Sequence, residues 1–191
     1  EGRASLDDVE NAAIRLQRLL VQLVALARAD EASTRSNAGA NADLDEVVET
    51  VVERLESLAS SAQVHVFVDG EPRHCLVKGE AALVTEVVTN VVDNSIRYNS
   101  RGGIVRIHSD GDSDSVFLVI DDDGPGVPAA DREQGFQRFH RLARDQQQEG
   151  SGLGLAIVRT LMHHLGASIQ LADVPEGTGL RVILRFQRAP A

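Results

Sequence analysis

Residues 90–99 read Asn-Val-Val-Asp-Asn-Ser-Ile-Arg-Tyr-Asn, closing a valine-rich stretch from Glu80 to Tyr98 whose apolar spacing is that of an amphipathic helix. Asparagine is a mediocre helix former, because its amide competes for nearby backbone groups, so two of them four residues apart demand a use. At about 100° per residue, Asn90, Asn94 and Arg97 share one narrow stripe, with Glu86 beside it, Tyr98 at its other edge and the valines on the adjoining arc. The neutral amide oxygen of Asn94 is a hard ligand suited to Mg²⁺, an ion that accompanies nucleotide phosphates and keeps several waters. Arg97 and Tyr98 then face those phosphates. A solvated polar stripe bordered by a packing tyrosine accounts for the same residues taken alone.

Around this helix the pattern alternates between strands and helices. Asp43 caps a helix running to about Ser60, and β-like runs follow at 64–69 and 74–77. After the helix at 80–98 come strands at 104–109 and 116–121, a helix at about 152–165, and strands at 167–173 and 180–186. The turns Asp-Gly-Asp-Ser-Asp-Ser and Pro-Glu-Gly-Thr-Gly join the strand pairs as hairpins. The expected fold is therefore α+β, a two-layer sandwich whose mixed, mostly antiparallel sheet carries three helices on one face. A long helix precedes it, at residues 5–30. Leu6, Val9, Ala13, Leu16, Leu20, Leu23 and Ala27 form a heptad seam there, widened by Leu19 and Leu26 beyond what one partner covers. Residues 32–43, small and polar, read as a linker, so the domains are expected at 1–31 and 44–191.

The bulk numbers exclude several classes. Asp and Glu outnumber Lys and Arg by 29 to 19, a net charge of −10 that repels a nucleic-acid backbone. No apolar run approaches the ~20 residues that span a bilayer, so this stretch is expected to make no direct membrane contact. Cys75 is the single cysteine, which rules out an internal disulfide and reads as packing.

Three further motifs carry chemistry. Asp121-Asp-Asp-Gly-Pro-Gly126 leaves a Val/Ile strand for a turn in which Gly124 and Gly126 permit close approach of a planar ligand. An ionised Asp122 at a pocket floor accepts hydrogen bonds only, and so reads an exocyclic amine such as adenine's; an acidic β-turn is the plainer alternative. Gly150-Ser151-Gly152-Leu153-Gly154 opens an apolar helix, where backbone N–H groups and the positive helix end suit a phosphate. It follows no strand and lacks Gly-Lys-Ser/Thr, so it is neither a dinucleotide fingerprint nor a Walker loop. Between these, Phe136 and Phe139 interleave with Arg138, Arg141 and Arg144 in a polar stretch; the rings can anchor a lid whose arginine reaches a γ-phosphate, or simply form an amphipathic turn.

In this order, Asn-Val-Val-Asp-Asn-Ser-Ile-Arg-Tyr, Asp-Asp-Gly-Pro-Gly, Phe-Gln-Arg-Phe-His-Arg and Gly-Ser-Gly-Leu-Gly-Leu resemble the N, G1, F and G2 boxes of bacterial two-component sensor histidine kinases. The likeness covers about residues 44–187, and residues 5–30 look like the second helix of that family's dimerisation and phosphotransfer hairpin. The resemblance implies the ATP-binding sandwich shared with type II topoisomerases, Hsp90 and mismatch-repair ATPases. It implies ATP and Mg²⁺ as ligands, Asn94 as metal ligand with Asn90 supporting it and the phosphate site, and Asp122 on adenine. Asn90, Arg138 and Arg141 are the implied catalytic residues. Arg97, Tyr98, Gly124, Gly126 and Gly150 through Gly154 complete the implied binding set. Further implications are a response regulator as partner, a homodimer through the N-terminal helix of the full-length protein, and a place on the cytoplasmic side of an inner-membrane sensor.

Two features depart from that family. Its acceptor histidine precedes an acidic residue, and none of the six histidines does so, so the phosphoryl must go to a histidine outside this stretch. Gly177-Thr-Gly-Leu180 lacks the threonine that commonly follows the second glycine. Where hydrolytic relatives carry a glutamate, Asn90 cannot take a proton at neutral pH, which favours transfer over hydrolysis, although Glu86 lies one turn away. The competing functions are an ATPase or serine kinase on the same sandwich and a degenerate nucleotide-sensing module.

Overall fold

The computed structural model describes residues 40–70, 75–137, 139–140, 152–175 and 177–190. The helix and heptad seam expected at 5–30, together with Arg138, Arg141, Gly150 and Ser151, lie outside the described residues.

The chain enters the domain through strand β1 (Asn41–Asp43), which pairs antiparallel with β3 (Leu76–Lys78). Residues 41–43 therefore belong to the sheeted domain and not to the expected linker. Their Asn-Ala-Asp sequence carries no strand signal, and the pairing comes from the partner strand. Helix α1 (Leu44–Ala62) starts at once, its N-cap Asp43 accepting from the Asp45 amide at 2.9 Å, with Asp45 and Glu46 favourably placed in the first turn. Gln63 closes it in the left-handed region and returns its amide to Ser60.

Strand β2 (His65–Asp69), helix α2 (Ala81–Arg97), strands β4 (Ile104–Gly111) and β5 (Ser115–Asp122), helix α3 (Gly154–His164), and strands β6 (Ser168–Asp173) and β7 (Leu180–Gln187) follow. The main sheet runs β2-β4-β5-β7-β6, with β2 parallel to β4 and every other pairing antiparallel. This is the mixed, mostly antiparallel sheet with three helices that the residue pattern predicts. The β4–β5 hairpin is tight because Asp112 accepts from the amides of Asp114 and Ser115 at 2.9 and 2.8 Å.

The core lies between the helix layer and the sheet. Valines 84, 87, 88, 91 and 92 of α2 are buried against Val105 and Ile107 of β4, Val116, Leu118 and Ile120 of β5, and Val182, Leu184 and Phe186 of β7. Cys75 is buried as well. Alternate residues of β5 point inward, and the series Val116, Leu118, Ile120 ends on Asp122. A carboxylate thus takes the last core-facing position of the central strand.

Ile120 is fully buried and Val68 is 54% exposed on the edge strand. Ile120→Ala is expected to cost about 2–5 kcal/mol, whereas Val68→Ala should stay near about 0.5 kcal/mol; denaturant unfolding of both variants checks the contrast.

Candidate functional site

Each of the three consecutive aspartates has a different partner. Asp121 faces the outer side of the sheet and receives a two-pronged bond from Arg181, its cross-strand neighbour, at 2.7 and 2.6 Å. Asp123 continues the ladder toward Ile104, accepting from its amide at 2.6 Å. Asp122 turns inward, and its Oδ1 accepts from the amides of Gly124 at 3.0 Å and Leu180 at 3.2 Å. Burial pushes the Asp122 carboxyl above the ordinary carboxylate range, while those two amides and the Ser95 hydroxyl pull it back.

Three main-chain segments must meet for this arrangement to form. Gly179 has φ +131°, and a Cβ there would run into the Asp122 carbonyl. Gly126, at φ +66°, would put a Cβ 2.6 Å from the Gly179 carbonyl. Both positions therefore exclude side chains on conformation and on space. The Gly177–Leu180 segment, despite its departure from the family pattern, packs Gly179 on the Asp122 main chain and supplies the Leu180 amide. A backbone donor leaves no mark in a side-chain motif, so sequence reasoning missed it.

On the helix side, the Asn90 amide nitrogen donates to the Glu86 carbonyl at 2.8 Å and to Glu86 Oε1 at 2.9 Å. A carboxylate only accepts, so this pairing fixes the amide's orientation. Among the described residues nothing donates to Asn90 Oδ1, which remains an acceptor. Gly154 begins α3 against Asn94: a Cβ on it would lie 3.0 Å from the Asn94 amide nitrogen and 3.3 Å from its oxygen. The glycine-rich helix start and the asparagine helix therefore converge, as the two motifs require. Gly152 takes φ +67° ahead of that start, and Leu153 is the residue preceding α3.

Arg97 has a partner on its own helix. Its Nε is held by Asp93 at 2.7 Å, one turn earlier on the same helix, an i,i+4 pair that sequence spacing already offered. Tyr98 caps α2, its amide reaching the Asn94 carbonyl at 2.9 Å. A Cβ on Gly124 would stand 3.2 Å from the Tyr98 carbonyl, so the turn after β5 lies directly under the end of α2. The two phenylalanines also part company. Phe136, in a 3₁₀ turn at Gln134–Phe136, is buried with Arg159 stacked 5.0 Å from its ring, and Arg159 in turn binds Glu133 at 2.7 Å. Phe139 sits at φ +63° with its ring 72% exposed, and it is held by its amide, which donates to the Gly152 carbonyl at 2.9 Å. Arg132, bonded to the Val127 carbonyl and paired with Asp173, ties the chain between them to β6.

Among the described residues no group of three His, Cys, Asp or Glu side chains can hold a metal alone. A divalent ion beside Asn90 and Asn94 would need phosphate oxygens and water to complete its shell. That donor set fits Mg²⁺, which dehydrates reluctantly and is bound with phosphates.

Residues 79–190 match the family of histidine kinase-, DNA gyrase B-, and HSP90-like ATPases. The sensor protein IrlS of Burkholderia pseudomallei is 30% identical over 174 residues, covering 90% of this chain and 36% of IrlS. The histidine-protein kinase/phosphatase MprB of Mycobacterium bovis is 32% identical over 181 residues, 92% of this chain and 34% of MprB. The chain thus spans about a third of the length of the relatives it matches. The solved mycobacterial sensor histidine kinase MprB superposes with a TM-score of 0.69 at 30% identity, over 79% of this chain and 99% of that one. The chain belongs to the histidine kinase-, DNA gyrase B- and HSP90-like ATPase family, as an ATP-binding catalytic domain of the sensor histidine kinase kind.

Proposed function

We propose that this chain binds ATP with Mg²⁺ between α2, the turn after β5 and the start of α3, and transfers the γ-phosphoryl to a histidine on a dimerisation helix, for relay to a response-regulator aspartate. The observation that carries this reading is the buried, pre-oriented Asp122. A carboxylate whose Oδ1 is spent on two amides offers its remaining lone pairs to one N–H donor, and the exocyclic amine of adenine is such a donor.

The phosphates then lie toward the start of α3, whose N–H groups and positive end favour them. Asn94 and the Asn90 oxygen would hold Mg²⁺, which supplies charge neutralisation along the phosphate chain. In the transfer itself, an imidazole nitrogen lone pair of the acceptor forms the new N–P bond. The bond from the γ-phosphorus to the bridging oxygen breaks, and ADP leaves with that electron pair. Asn90 cannot deprotonate water, which favours transfer to the better-placed nitrogen over hydrolysis, and it donates to Glu86 one turn away. Arg138 and Arg141 are the proposed γ-phosphate contacts. Residues 5–30 are the proposed dimerisation helix. No helix among the described residues is long and apolar enough to cross a membrane; the domain is proposed as the cytoplasmic end of a membrane sensor.

Mixing the chain with an acceptor-bearing hairpin and labelled ATP should put acid-labile, base-stable label on the hairpin. ATP binding without such label would move the assignment to a nucleotide-sensing module, and steady phosphate release without it would indicate an ATPase. Asn94→Ala should weaken ATP binding roughly tenfold when magnesium is present and change the magnesium-free affinity little; titration calorimetry with and without the ion measures both.

The raised pKa of Asp122 sets two opposite pH trends. Folding raises this carboxyl's pKa, so the folded state holds the proton more tightly than the unfolded chain. Its charge therefore works against folding above the folded pKa, and that cost is relieved as pH falls through it. Ligand binding, which needs the ionised acceptor, is lost over the same interval, beginning above the usual carboxylate value of about 4. Asp122→Asn, whose oxygen can still accept from both amides, should melt no lower than the parent at pH 8 yet bind ADP at least roughly tenfold more weakly. Parent-like affinity in that variant would falsify the base-reading role.

A further inference from the structure

The main sheet ends on β2 at one edge and on β6 at the other, and the two edges are finished differently. On β6 the exposed side chains are Ser168, Gln170 and Asp173, polar or charged groups that discourage pairing with another chain. The middle of β2 has no such guard. Phe67, at 45%, and Val68, at 54%, are large apolar side chains left exposed on it, and His65-Val-Phe-Val-Asp69 contains no Lys, Pro or Gly. Its backbone is also available. The His65 amide bonds the Gly103 carbonyl on the β4 side, and alternation along the strand then gives Phe67 and Asp69 to β4, while Val66 and Val68 turn their N–H and C=O groups to the open edge.

We propose that β2 is a self-association edge, pairing antiparallel with β2 of a second copy of this chain about a two-fold axis through Phe67. The strand is complementary to itself read backwards. Centred on Phe67, Val66 falls opposite Val68 of the second copy, and the pair exchanges the two main-chain hydrogen bonds for which its groups already point outward. Phe67 meets its own counterpart at the closely spaced position between those bonded pairs, where cross-strand aromatic contact stabilises the pairing. His65 falls opposite Asp69, an imidazole N–H donor against a carboxylate acceptor, twice by symmetry. These three side chains share the outer face of the sheet: Arg106 lies 5.6 Å from the Phe67 ring and 3.6 Å from Asp69, and the His65 ring is 6.4 Å from that of Phe67. Moving the axis one residue either way sets His65 or Asp69 against the phenyl ring and loses the match. A five-residue edge buries less than a standard interface, so the contact is weak alone and is strengthened by any other link between two copies. No residue of β2 belongs to the nucleotide site, and the pairing does not depend on ATP binding.

Cysteine cross-linking of the full chain reads the register directly, with the parent, whose single cysteine is the buried Cys75, as background. An antiparallel pair between the bonded positions has its Cα atoms about 4.5 Å apart, within disulfide reach, so Phe67→Cys is expected to give a disulfide-linked dimer under mild oxidation. In the same register two copies of residue 68 stand about 8 Å apart, from a rise of about 3.4 Å per residue and a strand spacing of about 4.8 Å. A disulfide does not bridge that distance, so Val68→Cys should cross-link at least roughly fivefold less, although Val68 is the more exposed of the two. Any association through residues 5–30 acts on both variants alike. His65→Asp, which sets carboxylates opposite each other, should weaken self-association in sedimentation equilibrium roughly three- to tenfold, and His65→Asp combined with Asp69→His should restore it. Equal cross-linking at 67 and 68, or none above the parent background, overturns the proposal, as does a double variant that associates no better than His65→Asp alone.

Discussion

A charged group taken out of water is the constraint on which this pocket is built. Burying a carboxylate without compensation costs several kcal/mol, and the sheet meets that cost with main-chain amides instead of a cation. Amides can approach only if the chains bearing them carry no side chains at the points of contact. That requirement explains why Gly126 and Gly179 touch across the turn, one at φ +66° and the other at +131°. Remove either glycine and the loops separate; separate the loops and Asp122 loses the Leu180 amide. The conformation of a hairpin over fifty residues downstream thereby decides how the carboxylate at the end of β5 is held.

Strand periodicity does the rest. On β5 the core-facing positions are even-numbered, so the inward series reaches Asp122 while Asp121 and its arginine lie on the opposite face. Three adjacent carboxylates would otherwise repel one another in a small volume. The pleat sends the first outward to a cation, the second inward to amides, and the third back onto the ladder, so only one of them is buried.

The larger elements were legible because their periods are long and unambiguous: valines at helical spacing in α2, alternation in β4, β5 and β7. Convergence of the asparagine helix with the glycine-rich helix start was legible too, since both motifs carry side-chain or glycine signatures. What escaped has a physical reason in each case. Strand β1 is three residues of Asn, Ala and Asp whose conformation comes from β3. Phe136 and Phe139 look equivalent in sequence, yet the ring of the first is buried under Arg159, whereas Phe139 reaches the Gly152 carbonyl through its amide and leaves its ring exposed. Leu180 contributes a backbone group, which no residue type announces.

A net charge of −10 would seem a poor setting for a triphosphate, and the single lysine does not help, because Lys78 reaches Gln187 on the far side of the sheet's β7 end. Oriented amides resolve the difficulty. They attract phosphate at a helix start and hold a carboxylate at a turn without adding any formal charge, and their field is short-ranged. An acidic surface can then coexist with an anion site a few residues away. The site as proposed is set by backbone conformation more than by titratable side chains, so its affinity should depend on the glycines that shape it and on the amides of Asn90 and Asn94.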